Sequence, residues 1–148
     1  THKWPNNPLF YICCPSKTDN EVAPDGKENL FFLIPVSTEL RDTDEIKETY
    51  FNQICDRLEK HTGTDVRPFI EIKESFAHSD FIAEYNSFKG NAYGLANTLR
   101  QTAVLKPKCK NNKLENLYYI GQLTVPGPGV PPAIVSGKIV ANLIHQNH

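Results

Sequence analysis

The sequence predicts an α+β fold, and three patterns carry that prediction. Residues 9–15 and 29–36 are rich in aromatic and β-branched types and flank a polar, turn-rich segment. Residues 44–61 repeat apolar side chains at helical spacing. A strand-like run at 116–120 passes through a Pro/Gly loop into an apolar stretch at 130–145. The expected architecture is an antiparallel sheet of at least three strands within residues 9–74, with helix 44–61 packed against it. Strand 116–120 and helix 130–144 complete a second layer.

The first strand, Leu9 to Pro15, and the second, Asn29 to Val36, are joined by a loop holding Pro24, Asp25 and Gly26, which favours an antiparallel pair. The second run is apolar on both faces, so cover on both sides is expected. In the first helix Ile46, Tyr50, Phe51, Ile54 and Leu58 line one face. Asp42 with Glu45 resembles a capping box, and Gly63 stands where a helix ends. Residues 66–74 alternate enough (Val66, Phe69 or Ile70, Ile72) to predict a third strand. Residues 78–85 predict a short helix. Between 86 and 105, Gly90 and Gly94 interrupt a polar and aromatic stretch, read either as a site-lining loop or as an irregular surface loop.

Composition bounds the function. The chain has 148 residues, 39% hydrophobic and 22% charged, which suits one folded domain or a large piece of a bigger one. It opens on Thr1 and contains no methionine, which points to a cut or processed piece. No run approaches the ~18 apolar residues of a spanning helix, and no leader is recognisable. The net charge of −1 argues against general binding to polyanions, so no nucleic-acid partner is expected. Charge is uneven, however. Residues 1–100 carry 11 basic and 16 acidic groups, whereas 101–148 carry five lysines and one glutamate. Lys106, Lys108, Lys110 and Lys113 form a cluster, read either as a solvated loop or as a contact for anionic lipid headgroups.

Cys13, Cys14, Cys55 and Cys109 lack the spacing of a zinc knuckle or redox dithiol and read as free thiols of a reducing cytoplasm. His2, His61, His78, His145 and His148 are scattered, so no metal site is expected.

The chemistry concentrates in 116–144. A helix beginning near Val130 leaves unpaired N–H groups and a partial positive charge at its start. Such an end binds phosphate or another electron-rich oxygen. Gly127 and Gly129 have no Cβ, so a ligand can approach the backbone. Pro131 and Pro132 suit a first turn and leave only Val130 and Ala133 as donors among residues 130–133. The same pattern also serves as plain architecture. The chain holds neither G-x-G-x-x-G nor G-x-x-x-x-G-K-[ST].

These residues carry a resemblance. Leu117-Tyr118-Tyr119-Ile120-Gly121, then Thr124-Val125-Pro126-Gly127-Pro128-Gly129-Val130-Pro131, resemble the C-terminal flavin-binding segment of the bacterial-type phytoene desaturases. Gly90-Asn91-Ala92-Tyr93-Gly94-Leu95, with Gln101-Thr102-Ala103, is similar to the family's preceding loop. Phe10-Tyr11, Pro15-Ser16, Asp19, Ala23-Pro24, Gly26 and Pro35-Val36 resemble its substrate-domain hairpin. Family members are about three times longer, with the dinucleotide fingerprint at their N-terminus.

The resemblance implies that residues 1–105 belong to a substrate-binding domain. Residues 106–148 would be the last strand and helix of a Rossmann-like FAD domain. It implies FAD as cofactor, a long apolar carotenoid as substrate, and a missing N-terminal part as partner. Hydrogen would be removed from adjacent carbons, with hydride passing to the flavin. Gly121 and Gln122 would lie near the ribityl and pyrophosphate part, although related oxidases often place an acid at the second position. The resemblance implies that Pro126, Gly127 and Pro131 also belong to the cofactor-binding set. Gly129 and Val130 would lie under the ring, the Val130 N–H aimed at a carbonyl oxygen. Phe10, Phe31, Phe32 and Tyr93 are candidate walls of an apolar tunnel, core packing being their other role. No acid or base is assigned; Asp80 and Glu84 read as solvent-facing.

The implied location is the cytoplasm, peripheral to a membrane. A carotenoid 3,4-desaturase or isomerase of the same fold, and a non-catalytic apolar-lipid-binding module, are the alternatives. An unpaired strand edge would favour self-association of the piece.

Overall fold

Residues 3–96, 98–102 and 105–146 are described by the computed structural model. Thr1, His2, Ala103 and His148, named above, lie outside the described residues. The chain divides into two compact units, Thr1–Gly90 and Asn91–His148.

In the first unit, β1 (Tyr11–Cys13) pairs antiparallel with β2 (Phe31–Leu33), Tyr11 opposite Leu33 and Cys13 opposite Phe31. Both strands are shorter than predicted. Pro15 has no N–H and begins a 3-10 turn, Pro15–Lys17, which ends β1. Side chains then close the hairpin. Ser16 Oγ donates to Glu28 Oε2 (2.6 Å) and accepts from the Asn29 N–H (3.0 Å), and Lys17 pairs with Glu28. The expected cover on both faces of β2 is not found, since Phe31 remains 50% exposed. The expected three-stranded sheet has two strands among the described residues.

The sheet stops there because 66–74 finds other partners. Asp65 Oδ1 accepts from the Arg67 backbone N–H (3.0 Å) and Nε (2.7 Å), bending the chain into a 3-10 turn, Arg67–Phe69. Pro68 has no N–H for a ladder. Arg67 also reaches Asp56 (2.7 Å) and Glu59 (3.2 Å), so ion pairs tether this segment to the preceding helix.

That helix, α1 (Asp44–Thr62), forms as its periodicity predicts and buries Tyr50, Ile54 and Cys55. Its cap differs from the prediction. Thr43 Oγ1, not Asp42, accepts the Ile46 N–H at 3.4 Å. Asp42 instead accepts from Ser79 N–H (2.9 Å) and Oγ (2.8 Å). Gly63 ends the helix at φ 76°. α1 meets the segment leading into β1: Trp4 lies 4.9 Å from the Tyr50 ring, Tyr50 Oη donates to the Pro5 carbonyl, and Arg57 donates to that of Pro8.

α2 (His78–Tyr85) has the predicted bounds. Asp80 is not the free surface carboxylate expected. It accepts the Ala77 N–H (2.8 Å) and the Lys47 ammonium (3.1 Å), and these hold its carboxyl below the usual range, the Ala77 bond contributing most. Glu84 is exposed. His78 is buried, Nε2 against the Ser37 carbonyl at 2.8 Å and the ring edge-on to Trp4 at 5.8 Å.

In the second unit the predicted strand 116–120 survives as one side of a narrow hairpin. Lys110 bridges Tyr118, Tyr119 N–H donates to the Cys109 carbonyl (2.8 Å), and Asn111 N–H donates to that of Leu117 (2.9 Å). It is not buried as expected: Ile120 is 66% exposed. α3 (Val130–Gln146) buries only Ser136 and Val140 and leaves Ile134 and Val135 outward. Among the described residues no helix is long and apolar enough to cross a membrane.

Candidate functional site

The second unit carries a depression of about 390 Å³ lined by Ala92, Tyr93, Gln122, Gly129, Val130 and Ala133. Three segments that are separate in sequence meet there: the 91–94 loop, the turn after the hairpin, and the start of α3. Each is fixed by a local device.

The 91–94 loop closes on itself. Asn91 Oδ1 accepts the Gly94 N–H (2.5 Å), and Asn91 Nδ2 donates to the Gly94 carbonyl. Gly94 sits at φ 88°, where glycine alone is unstrained. A Cβ there would stand 3.0 Å from the Gln122 carbonyl oxygen, so its absence lets the loop lie against Gln122.

Gly121 is held from the helix side. Its N–H donates to Ser136 Oγ (2.8 Å), which donates in turn to the Ala133 carbonyl (2.6 Å). Ser136 is fully buried. Thr124 Oγ1 donates to the Gly121 carbonyl at 3.0 Å, which closes the turn. Replacing Ser136 by alanine is expected to cost about 1–3 kcal/mol, since the Gly121 N–H loses its acceptor where water has little access. A thermal unfolding midpoint unchanged in Ser136→Ala would count against this account of the turn.

The start of α3 decides which donors remain. The Ala133 N–H donates to the Gly129 carbonyl at 3.0 Å and belongs to the helix. Pro131 and Pro132 have no N–H. Of the two donors foreseen, Val130 and Ala133, only Val130 therefore has no acceptor among the described residues. Gly129, at φ 108°, brings backbone to the rim without a side chain.

The depression thus brings together Gln122, Gly129 and Val130 with Tyr93, but not every residue singled out from sequence. Gly127 is buried, and a Cβ on it would lie 3.0 Å from Lys106 Nζ. Pro126 follows a cis bond to Val125, and Pro131 is exposed in the first turn. Neither lines the depression.

Phe10, Phe31 and Phe32 belong to the first unit. Phe10 lies beneath the Arg57 guanidinium, 4.5 Å from its ring centre, which is a packing role. Phe31 and Phe32 are consecutive in β2 and point to opposite faces, so they cannot share one wall. Ser136 was not foreseen, and Asn91 and Ala92 were named only within the resembling loop, not as site residues. An Asn-x-x-Gly spacing and a lone serine in an apolar helix were the available signals.

No protein-family model matches the chain. Over 97% of its length it is 45% identical to the carotenoid 3,4-desaturase of Haloarcula japonica, covering 29% of that protein. Over 93% of its length it is 33% identical to the all-trans-zeta-carotene desaturase of Myxococcus xanthus, covering 26% of it. Over 95% it is 32% identical to a 4,4'-diaponeurosporene oxygenase of Staphylococcus aureus, covering 29%. The chain spans less than a third of the length of these curated relatives.

Proposed function

The chain is homologous along nearly its whole length to the carotenoid desaturases, and from that premise we propose that it is the C-terminal part of an FAD-dependent oxidoreductase acting on a long apolar carotenoid. The observation that carries the reading is the depression in the second unit. There a glycine-walled helix start with one uncommitted N–H, that of Val130, meets Tyr93 and Gln122.

These residues fit a flavin ring. A planar group can slide against Gly129, which presents no side chain. Val130 N–H would donate to a ring carbonyl oxygen, and the positive end of α3 favours negative charge there. Gln122 would hydrogen-bond a hydroxyl along the cofactor's chain, as donor or acceptor. Gly121, fixed by Ser136, sets the position of Gln122. Bound FAD would supply the acceptor for hydride leaving the substrate. Tyr93 and Ala92 would shape the apolar approach, since a hydrocarbon offers nothing to hydrogen-bond.

In this reading residues 1–105 contribute to the substrate-binding domain, and 106–148 supply the closing segment of a Rossmann-like FAD domain. The rest of the protein provides the pyrophosphate grip and covers apolar surface such as Ile134 and Val135, which would otherwise promote self-association. The protein would work in the cytoplasm, at a membrane surface where its substrate dissolves. The position of the double bond formed, at 3,4 or elsewhere, would follow from how far the polyene enters.

The test is the visible absorbance of the natural full-length protein, purified without added cofactor. A flavin spectrum near one FAD per chain is expected. A colourless, folded protein that also refuses added FAD would overturn the reading in favour of an apolar-lipid-binding module.

A further inference from the structure

Lys106 differs from the lysines that follow it. Read from sequence, it belongs to a cluster with Lys108, Lys110 and Lys113. It is only 7% exposed, whereas Lys108 and Lys113 are exposed. Its side chain lies against the Pro-Gly loop that leads into α3. A Cβ built on Gly127 would stand 3.0 Å from Lys106 Nζ and 3.2 Å from Cε, so glycine here makes room for the ammonium. Two bonds strap the lysine's own segment to the same loop. The Pro107 carbonyl accepts the Val125 N–H (3.2 Å), and Cys109 Sγ, itself buried, donates to the Val125 carbonyl (3.5 Å).

This places a buried charge close to the groove. Gly129 is two residues beyond Gly127, and two residues of chain span at most about 7 Å. Nζ therefore lies within roughly 12 Å of Gly129, where the groove wall meets the positive end of α3. Residues 101–148 hold a single acid, Glu115, and it is exposed. Salt and water screen a buried charge far less than an exposed one. Loop support alone asks for no charge at this position. A buried ammonium costs more to desolvate than an uncharged chain of the same length.

We propose that Lys106 tunes the cofactor electrostatically, its ammonium stabilising the negative charge that the flavin ring acquires on reduction. The proposal rests on the reading above and extends it to a residue outside the groove wall. Hydride leaving a substrate carbon carries two electrons and one proton. A C–H bond breaks, an N–H bond forms on the acceptor ring, and the ring gains one negative charge. The substrate's second hydrogen leaves as a proton to water. A unit charge at roughly 12 Å, with an effective dielectric of about 20, favours that charge about tenfold. Val130 would act by contact with one oxygen, whereas Lys106 acts through its field on the ring as a whole.

The test is the reduction potential of the flavin in the natural full-length protein, titrated with dithionite beside a reference dye. Lys106→Met keeps the length of the side chain and removes its charge. At a fixed dye poise its ratio of reduced to oxidised flavin should fall about tenfold, which is about 30 mV for a two-electron couple. Lys106→Gln, a second uncharged variant, should fall in the same direction. Lys106→Arg keeps the charge and should stay near the parent. Circular dichroism and flavin content establish that each variant is folded and loaded. A loaded Lys106→Met or Lys106→Gln protein with the parental potential would overturn the proposal and leave the flavoprotein reading standing. So would a Lys106→Arg protein that falls as far as Lys106→Met, since shape rather than charge would then be responsible. A parent protein that refuses FAD overturns the reading above, and this proposal with it.

Discussion

Gly90→Ala is expected to destabilise the first unit by about 2–5 kcal/mol, a large share of a typical domain's stability. Two effects add. Gly90 sits at φ 68°, where an L side chain costs about 1–2 kcal/mol. Its missing Cβ would also stand 2.6 Å from His78 Cβ and 2.8 Å from His78 Cα. The second contact is with backbone, so no rotamer change relieves it, and α2 itself has to shift. That shift pulls the imidazole away from the Ser37 carbonyl and from Trp4. Gly63 is the control. It has a similar φ of 76° but nothing within 4 Å of a built Cβ, so Gly63→Ala should show only the backbone term. Urea unfolding followed by circular dichroism compares the two, and equal losses would mean that the packing of Gly90 on His78 is not what matters.

Val130→Pro is expected to weaken FAD binding by about tenfold to a hundredfold while leaving the protein folded. The change removes one N–H and little else. Proline is accommodated at a first helical position, and Pro131 and Pro132 already follow. A hydrogen bond to an acceptor gaining charge is worth about 1.5–3 kcal/mol, hence the range. Val130→Ala keeps the N–H and should keep the affinity. The measurement is titration of apoprotein with FAD, followed by quenching of flavin fluorescence. Parent-like affinity in Val130→Pro would mean that the N–H does not meet the cofactor.

The helices were legible in the sequence because a helix closes its hydrogen bonds within its own segment. Asp44–Thr62, His78–Tyr85 and Val130–Gln146 lie within a residue or so of their predicted bounds. Strands depend on a partner that the local sequence does not name. The alternation at 66–74 was real, but Asp65 and Arg67 turned the chain aside before a ladder could form. Similarly, the apolar run at 116–120 predicted burial, yet Ile120 is 66% exposed. In the depression, Gln122, Gly129, Val130 and Tyr93 were accessible through motif resemblance. Asn91 and Ser136 act on backbone at Gly94 and Gly121, and such contacts leave no periodic trace. The Asp42 cap failed for a related reason: Thr43, one residue on, competed for the same role, and Ser79 drew Asp42 away.

The paired prolines at the start of α3 also set a selectivity. A phosphate offers several oxygens around a tetrahedron and is usually held by several backbone N–H groups at once. Here Pro131 and Pro132 delete two donors and the helix takes the third, so a phosphate would find one partner and lose much of its hydration. A single carbonyl oxygen at the edge of a flat ring asks for one. The first turn of α3 therefore sorts acceptors by number rather than by charge, turning away free phosphate and nucleotide tails from a place where the positive end of a helix would otherwise collect them.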